Sequence, residues 1–156
     1  MLLISTPKGA SLIQEIRNVQ FRETGVVEFY ATYDQFNDPG FRNFMVPRQA
    51  TEIKRYYDCG FGYQSCSISC KVSRKDLEAF AKEKGYKFKA KKCAYFLGFD
   101  PVLDELRVDG DDAKNYLRCT ARDGEHEVEI PGWGNFGDLH FVYDMEKERL
   151  YGFYYD

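Results

Sequence analysis

This chain has no C-x-x-C pair, few histidines, no long apolar run and no large charge of either sign, and each absence closes a class of explanation. The five cysteines, Cys59, Cys66, Cys70, Cys93 and Cys119, are odd in number and lack C-x-x-C spacing, which argues against a fully paired disulfide framework and against a zinc site. Only two histidines, His126 and His140, offer acid-base chemistry near neutrality. The G-x-S-x-G, H-E-x-x-H and P-loop patterns are missing, and with them the hydrolase, metalloprotease and nucleotidase readings that those motifs carry. No segment reaches the roughly 20 apolar residues of a membrane-spanning helix. The opening MLLISTPKGA lacks the basic flank of a signal peptide, so the expected location is cytoplasmic. A net charge of -3 gives no long-range attraction to nucleic acid or to an anionic membrane.

Repeats, low-complexity tracts and linkers are also lacking, and this predicts a single domain over residues 1–156. Strand and helix patterns do not alternate regularly. The expected class is therefore α+β, a mainly antiparallel sheet with a few helices packed on one face and a C-terminal β-hairpin, rather than a doubly wound fold.

What the chain does have is aromatic surface: 13 Phe, 12 Tyr and one Trp, 17% of residues. The densest stretch is at the end, where LHFVY and LYGFYY flank the charged turn DMEKER. Pairing Asp144 with Arg149 puts Leu139, Phe141, Tyr143, Leu150 and Tyr154 on one side and His140, Val142, Tyr151 and Phe153 on the other. Both sides are apolar. One can be core, and the other is covered by a further layer or offered to a partner, because a half-solvated sheet alternates apolar with polar.

Upstream, Thr6 and Pro7 read as a cap and first turn, with Leu12, Ile13 and Ile16 at helical spacing to about Asn18. GVVEFYATY places Val27, Phe29, Ala31 and Tyr33 on one face of a strand. Residues 34–49 are rich in turn formers and read as irregular. ATEIKRYYDCG suggests a short helix ending at Gly60, although its two tyrosines also suit a strand. In SCSISCKV, Cys66, Ile68, Cys70 and Val72 alternate with Ser65, Ser67, Ser69 and Lys71, which makes the cysteines small buried hydrophobes. Ser73 then caps a helix with Asp76 three residues on, a stripe of Leu77, Phe80 and Ala81, and a stop at Gly85. YKFKAKK reads as a strand with a basic outer face, a short helix carries Tyr116 and Leu117, and EHEVEI is a further strand.

Three segments invite chemistry. GWGNFG, residues 132–137, matches G-x-G-x-x-G literally, but a strand follows where a dinucleotide fold requires a helix, so it reads as a glycine turn presenting Trp133 and Phe136. Lysines 82, 84, 87, 89, 91 and 92 with Tyr86 and Phe88 resemble a nucleic-acid track, yet the acidic run Asp100 to Asp112 follows closely, and if the two runs face each other no net positive field remains. DELRVDGDD lacks the spacing of a calcium loop. A cysteine nucleophile would need His126 or His140 within hydrogen-bond reach and a third group to orient it.

Two segments, SCSISCKVSRKDLEAFAKEKG and HFVYDMEKERLYGFYYD, resemble parts of small bacterial proteins, some of which act as immunity proteins in interbacterial toxin systems. That resemblance implies binding a cognate toxin domain and covering its active site, without chemistry of its own. It carries over no individual residue. The expected function is thus a non-enzymatic protein-binding domain needing no cofactor and no metal, monomeric or dimerising through its terminal hairpin. The expected contacts are an aromatic patch of Trp133, Phe136, Tyr151 and Tyr154, with Asp138, Asp109 and Asp111 steering a basic protein partner. The alternative is a small Cys/His-dependent hydrolase or transferase.

Overall fold

The computed structural model describes residues 24–60, 62–92, 100–106, 115–122 and 138–155. The expected first helix, the EHEVEI strand and the glycine loop lie outside the described residues. Within them, seven strands form one antiparallel sheet: β1 (Val27–Thr32), β2 (Thr51–Gly60), β3 (Tyr63–Lys71), β4 (Lys89–Lys92), β5 (Asn115–Arg122), β6 (Asp138–Asp144) and β7 (Arg149–Tyr155). Their spatial order is β1-β2-β3-β7-β6-β5-β4. The C-terminal hairpin is therefore central, with β3 on one flank and β5 on the other, and its register is set by Asp144 opposite Arg149 as its charges predict.

Helices α1 (Pro39–Met45) and α2 (Arg74–Lys84) cover one face. Ser73 caps α2, accepting the Asp76 amide at 3.2 Å and donating to its carboxylate at 2.8 Å, and Gly85 ends it in the left-handed region at φ 73°. Under these helices lie Leu77, Phe80, Cys66, Ile68, Cys70, Leu139, Phe141, Tyr143, Leu150 and Tyr154. Phe141 sits among three rings, 6.1 Å from Phe80, 5.1 Å from Tyr86 and 6.0 Å from Phe88, within the range of favourable aromatic pairing. The buried hydroxyl of Tyr143 donates to the Val72 carbonyl at 2.9 Å and that of Tyr86 to the Phe44 carbonyl at 3.0 Å. Burying each such side chain is worth about 1.5–3 kcal/mol.

The opposite face of the hairpin is covered by a 3-10 turn. Leu103 and Leu106, from the turn Leu103–Leu106, pack on Tyr116, Val142 and Tyr151, with Phe153 at the margin. Asp100 holds the turn down: its carboxylate accepts the Val102 and Leu103 amides at 2.8 and 3.0 Å and the Ser67 hydroxyl at 2.7 Å. The serine row of β3, polar in the sequence, is thus buried at Ser67 and Ser69, each with a hydrogen bond.

Four expected elements differ. Residues 34–49 hold a helix where irregular chain is expected, because Pro39 suits a first turn and Phe41 and Met45, four apart, bury one stripe. Residues 51–60 form a strand and not a helix. Its inward residues are Ile53, Arg55 and Tyr57, at period two. Tyr116 and Leu117 belong to strand β5 and face opposite sides, Tyr116 in the cluster under the turn and Leu117 against the helix-covered core. The basic strand is shorter than YKFKAKK, with Tyr86 entering the core before β4 begins.

Strand β1 inverts the obvious reading of its alternation. Glu28 and Tyr30 face the helices, while Val27, Phe29 and Ala31 face the other way, because Arg55 stands opposite Glu28 in the register. Arg55 is 5% exposed, donates to the fully buried Asp38 at 2.8 Å and to Glu28, and lies 5.5 Å from the Phe36 ring. The Tyr30 hydroxyl also donates to Glu28. Burial first, and then that hydrogen bond, push its pKa up to about 12.

Removing one partner of this ion cluster leaves a buried charge short of its counterion. Asp38→Ala is expected to lower unfolding stability by about 3–5 kcal/mol in urea titrations. Gly152 supplies a second check, since an added Cβ would stand 3.1 Å from Ile68 Cγ1 and 3.2 Å from Phe141 Cε1. Gly152→Ala is expected to cost about 1–3 kcal/mol by the same measurement.

Candidate functional site

The hairpin tyrosines expected to contact a partner are interior. Tyr151 is 1% exposed and Tyr154 is fully buried, with the Phe41 ring 5.6 Å from the Tyr154 ring. Neither supplies exposed contact area, because the 3-10 turn covers one side chain and α1 the other. Asp138 begins β6 opposite Arg122 and Tyr155. Trp133, Phe136, Asp109 and Asp111 lie outside the described residues, as do His126 and Cys93.

The same register bears on Cys/His chemistry. Cys59, Cys66, Cys70 and Cys119 share the parity of the helix-covered face, whereas His140 stands opposite Thr120 and Phe153 on the other. The sheet separates His140 from all four. Burial also pushes the Cys70 thiol up to about 12, with the charge of Arg149 opposing it only partly, so a thiolate there is suppressed at neutral pH. Among the described residues no group of three or more metal-ligating side chains occurs.

Among the described residues the 3-10 turn packs on the hairpin, and toward β1 the same sheet holds a cleft. Its volume is about 460 Å³, and Phe29, Tyr30, Ala31, Glu52, Ile53, Lys54 and Arg149 line it. Phe29 is 70% exposed and nearby Val26 is 41% exposed, and these are the exposed large hydrophobic side chains among the described residues. At Ala31 the amide donates to the Gln35 side chain at 3.0 Å, closing one position of the outer edge of β1.

The cleft floor is strained. The β2-β3 ladder shifts register between Thr51 and Lys54, and Glu52 there adopts φ 48°. Glu148, before Arg149 in the hairpin turn, has φ 51°. Left-handed backbone at a non-glycine residue costs roughly 1–2 kcal/mol, and such strain persists where neighbours fix it. Arg149 is that neighbour: its Nη2 reaches across β3, donating to the Glu52 carbonyl at 3.0 Å and to Ser69 Oγ at 2.9 Å. Its Nη1 stands 3.7 Å from the Glu52 carboxylate, too long for a hydrogen bond.

On the other flank, Lys54 Nζ and the Tyr151 hydroxyl both donate to Glu105, at 3.1 and 2.8 Å. Burial alone would raise the Glu105 pKa, but these two hydrogen bonds with the charges of Lys54 and Arg149 outweigh it and leave it lowered. Tyr151 moves the opposite way, pushed up by burial and by its bond to Glu105. The sequence singled out none of Phe29, Glu52, Lys54 or Arg149 as site residues. The available signal was the pair of inward charges, Glu28 and Arg55, which turns Phe29 outward.

A carboxylate whose folded-state pKa is lowered binds its proton more readily when unfolded, so it adds stability above its ordinary pKa and loses it as the pH falls. Glu105→Gln is therefore expected to flatten the acid side of the stability profile, measured as urea midpoints on descending through 4.5 and below. Comparison of this chain with protein-family models, with curated proteins and with solved structures gives no match.

Proposed function

We propose that this chain is a non-enzymatic protein-binding domain, an immunity-type protein that neutralises a cognate bacterial toxin by covering its active site. One observation carries the placement of the contact surface: exposed large apolar side chains among the described residues gather at β1, where Phe29 stands beside a cleft. An exposed aromatic next to a recess is the form of an interface anchor, since a partner side chain fills the recess while the ring is desolvated. The resemblance of the β3-α2 segment and the terminal hairpin to immunity-type sequences supports the role. The mechanism is steric occlusion.

Trp133 and Phe136, with Asp138, Asp109 and Asp111 steering a basic partner, belong to the same proposal as further contacts. Self-association through the hairpin has less support, because β6 and β7 are each paired on both edges. The Cys/His enzyme reading also has less support, with His140 across the sheet from the described cysteines.

The test is co-expression with a toxin domain encoded beside the gene, scored as cell survival and as affinity of the purified pair. Phe29→Asp is expected to weaken binding at least about 30-fold. Its melting temperature should stay close to that of the parent, as expected at an exposed position. Trp133→Ala tests the second contact region separately. Full protection by Phe29→Asp would remove β1 from the interface, and failure of the parent chain to protect against any neighbouring toxin would remove the immunity role.

A further inference from the structure

The lining of the β1-β2 cleft carries two cations, Lys54 and Arg149, against one carboxylate, Glu52, beside an exposed aromatic ring. The three charges are not equally committed. Lys54 is hydrogen-bonded to Glu105 outside the lining, while the Glu52 carboxylate is largely exposed and stands off Arg149 at 3.7 Å. Arg149 itself is held in place by the two hydrogen bonds of Nη2, to the Glu52 carbonyl and to Ser69 Oγ. The guanidinium is thus fixed over strained backbone at Glu52, and its Nη1 has no acceptor closer than the Glu52 carboxylate at 3.7 Å.

We propose that this cleft is a binding site for a carboxylate carried next to an apolar group. The carboxylate takes the place of the Glu52 side chain at Arg149 Nη1, with Lys54, beside Phe29 in the register, adding charge. The apolar group lies against Phe29. The volume, about 460 Å³, falls within the range of sites for small organic ligands. The same chemistry is offered by a free aryl acid and by an acidic side chain flanked by an aromatic one in a protein segment; only the second source rests on the protein-binding reading above.

The experiment is a titration of the isotopically labelled full chain, following the backbone amides of Ala31, Lys54 and Arg149 by two-dimensional NMR. The probes are phenylacetate, its neutral amide, acetate, and a capped dipeptide of phenylalanine and aspartate. Saturable shifts are expected with phenylacetate, the dipeptide or both, and at least tenfold weaker binding of the neutral amide. Saturation by phenylacetate alone assigns the site to small organic acids. Saturation by the dipeptide alone assigns it to a protein segment, and leaves that assignment standing whether or not the toxin test succeeds.

Glu52→Gln removes the competing anion and is expected to tighten binding by up to about fivefold. Phe29→Ala is expected to weaken it several-fold. Arg149→Gln should abolish it, and because that change can also disturb the fold, the Glu52 and Phe29 variants carry the decision. Equal binding of acid and neutral amide, no response to Glu52→Gln, or no saturable binding of any probe overturns the site.

Discussion

The β6-β7 hairpin is apolar on both faces, and the rest of the structure is arranged around that constraint. A two-sided apolar ribbon cannot sit at a sheet edge or leave a face in water without exposing several large side chains. The chain puts it in the middle of the sheet, flanked by β3 and β5, with helices α1 and α2 over one face and the 3-10 turn at Leu103–Leu106 over the other. The turn is too short to cover the whole second face. It packs on Tyr116, Val142 and Tyr151, and among the described residues Phe29 and the cleft lie beyond it, at β1 and β2. Fold and candidate site thus share a cause.

The polar groups around that boundary are used rather than merely solvated. Asp100 ties the covering turn to Ser67, Glu105 ties it to Lys54 and Tyr151, and Arg149 braces the strained bulge at Glu52. These contacts join four separate stretches of chain at the margin of the cleft. On the helix-covered side, the Glu28-Arg55-Asp38 cluster does equivalent work for the edge strand, fixing which of its faces turns outward. An ion cluster of this kind specifies arrangement more than it adds net stability.

Much of this was legible where the pattern was local. The hairpin register followed from Asp144 and Arg149, the α2 boundaries from Ser73, Asp76 and Gly85, and the buried cysteines of β3 from strict alternation. Legibility ended where distant partners decide. Arg55 points inward only because Asp38 and Glu28 wait for it, so β2 resembled a polar helix as readily as a strand. Tyr116 and Leu117 look like a helical pair until β6 is known to lie alongside. The serines of β3 are the polar side of an alternating strand, and nothing nearby in sequence announces that Asp100 will fold over them. The candidate site belonged to this second class: Phe29 is an ordinary strand aromatic until the ion cluster turns it outward, and Tyr151 looked available for contact until the turn buried it.

Amide hydrogen exchange, on the free chain and in the presence of the proposed toxin partner, tests the central claim most directly. If the hairpin is sealed on both faces, the amides of β6 and β7 are already among the slowest in the free chain and gain little on binding, while those of β1 gain protection. Fast exchange along β6 and β7 in the free chain, with new protection there on binding and none at β1, would contradict the account.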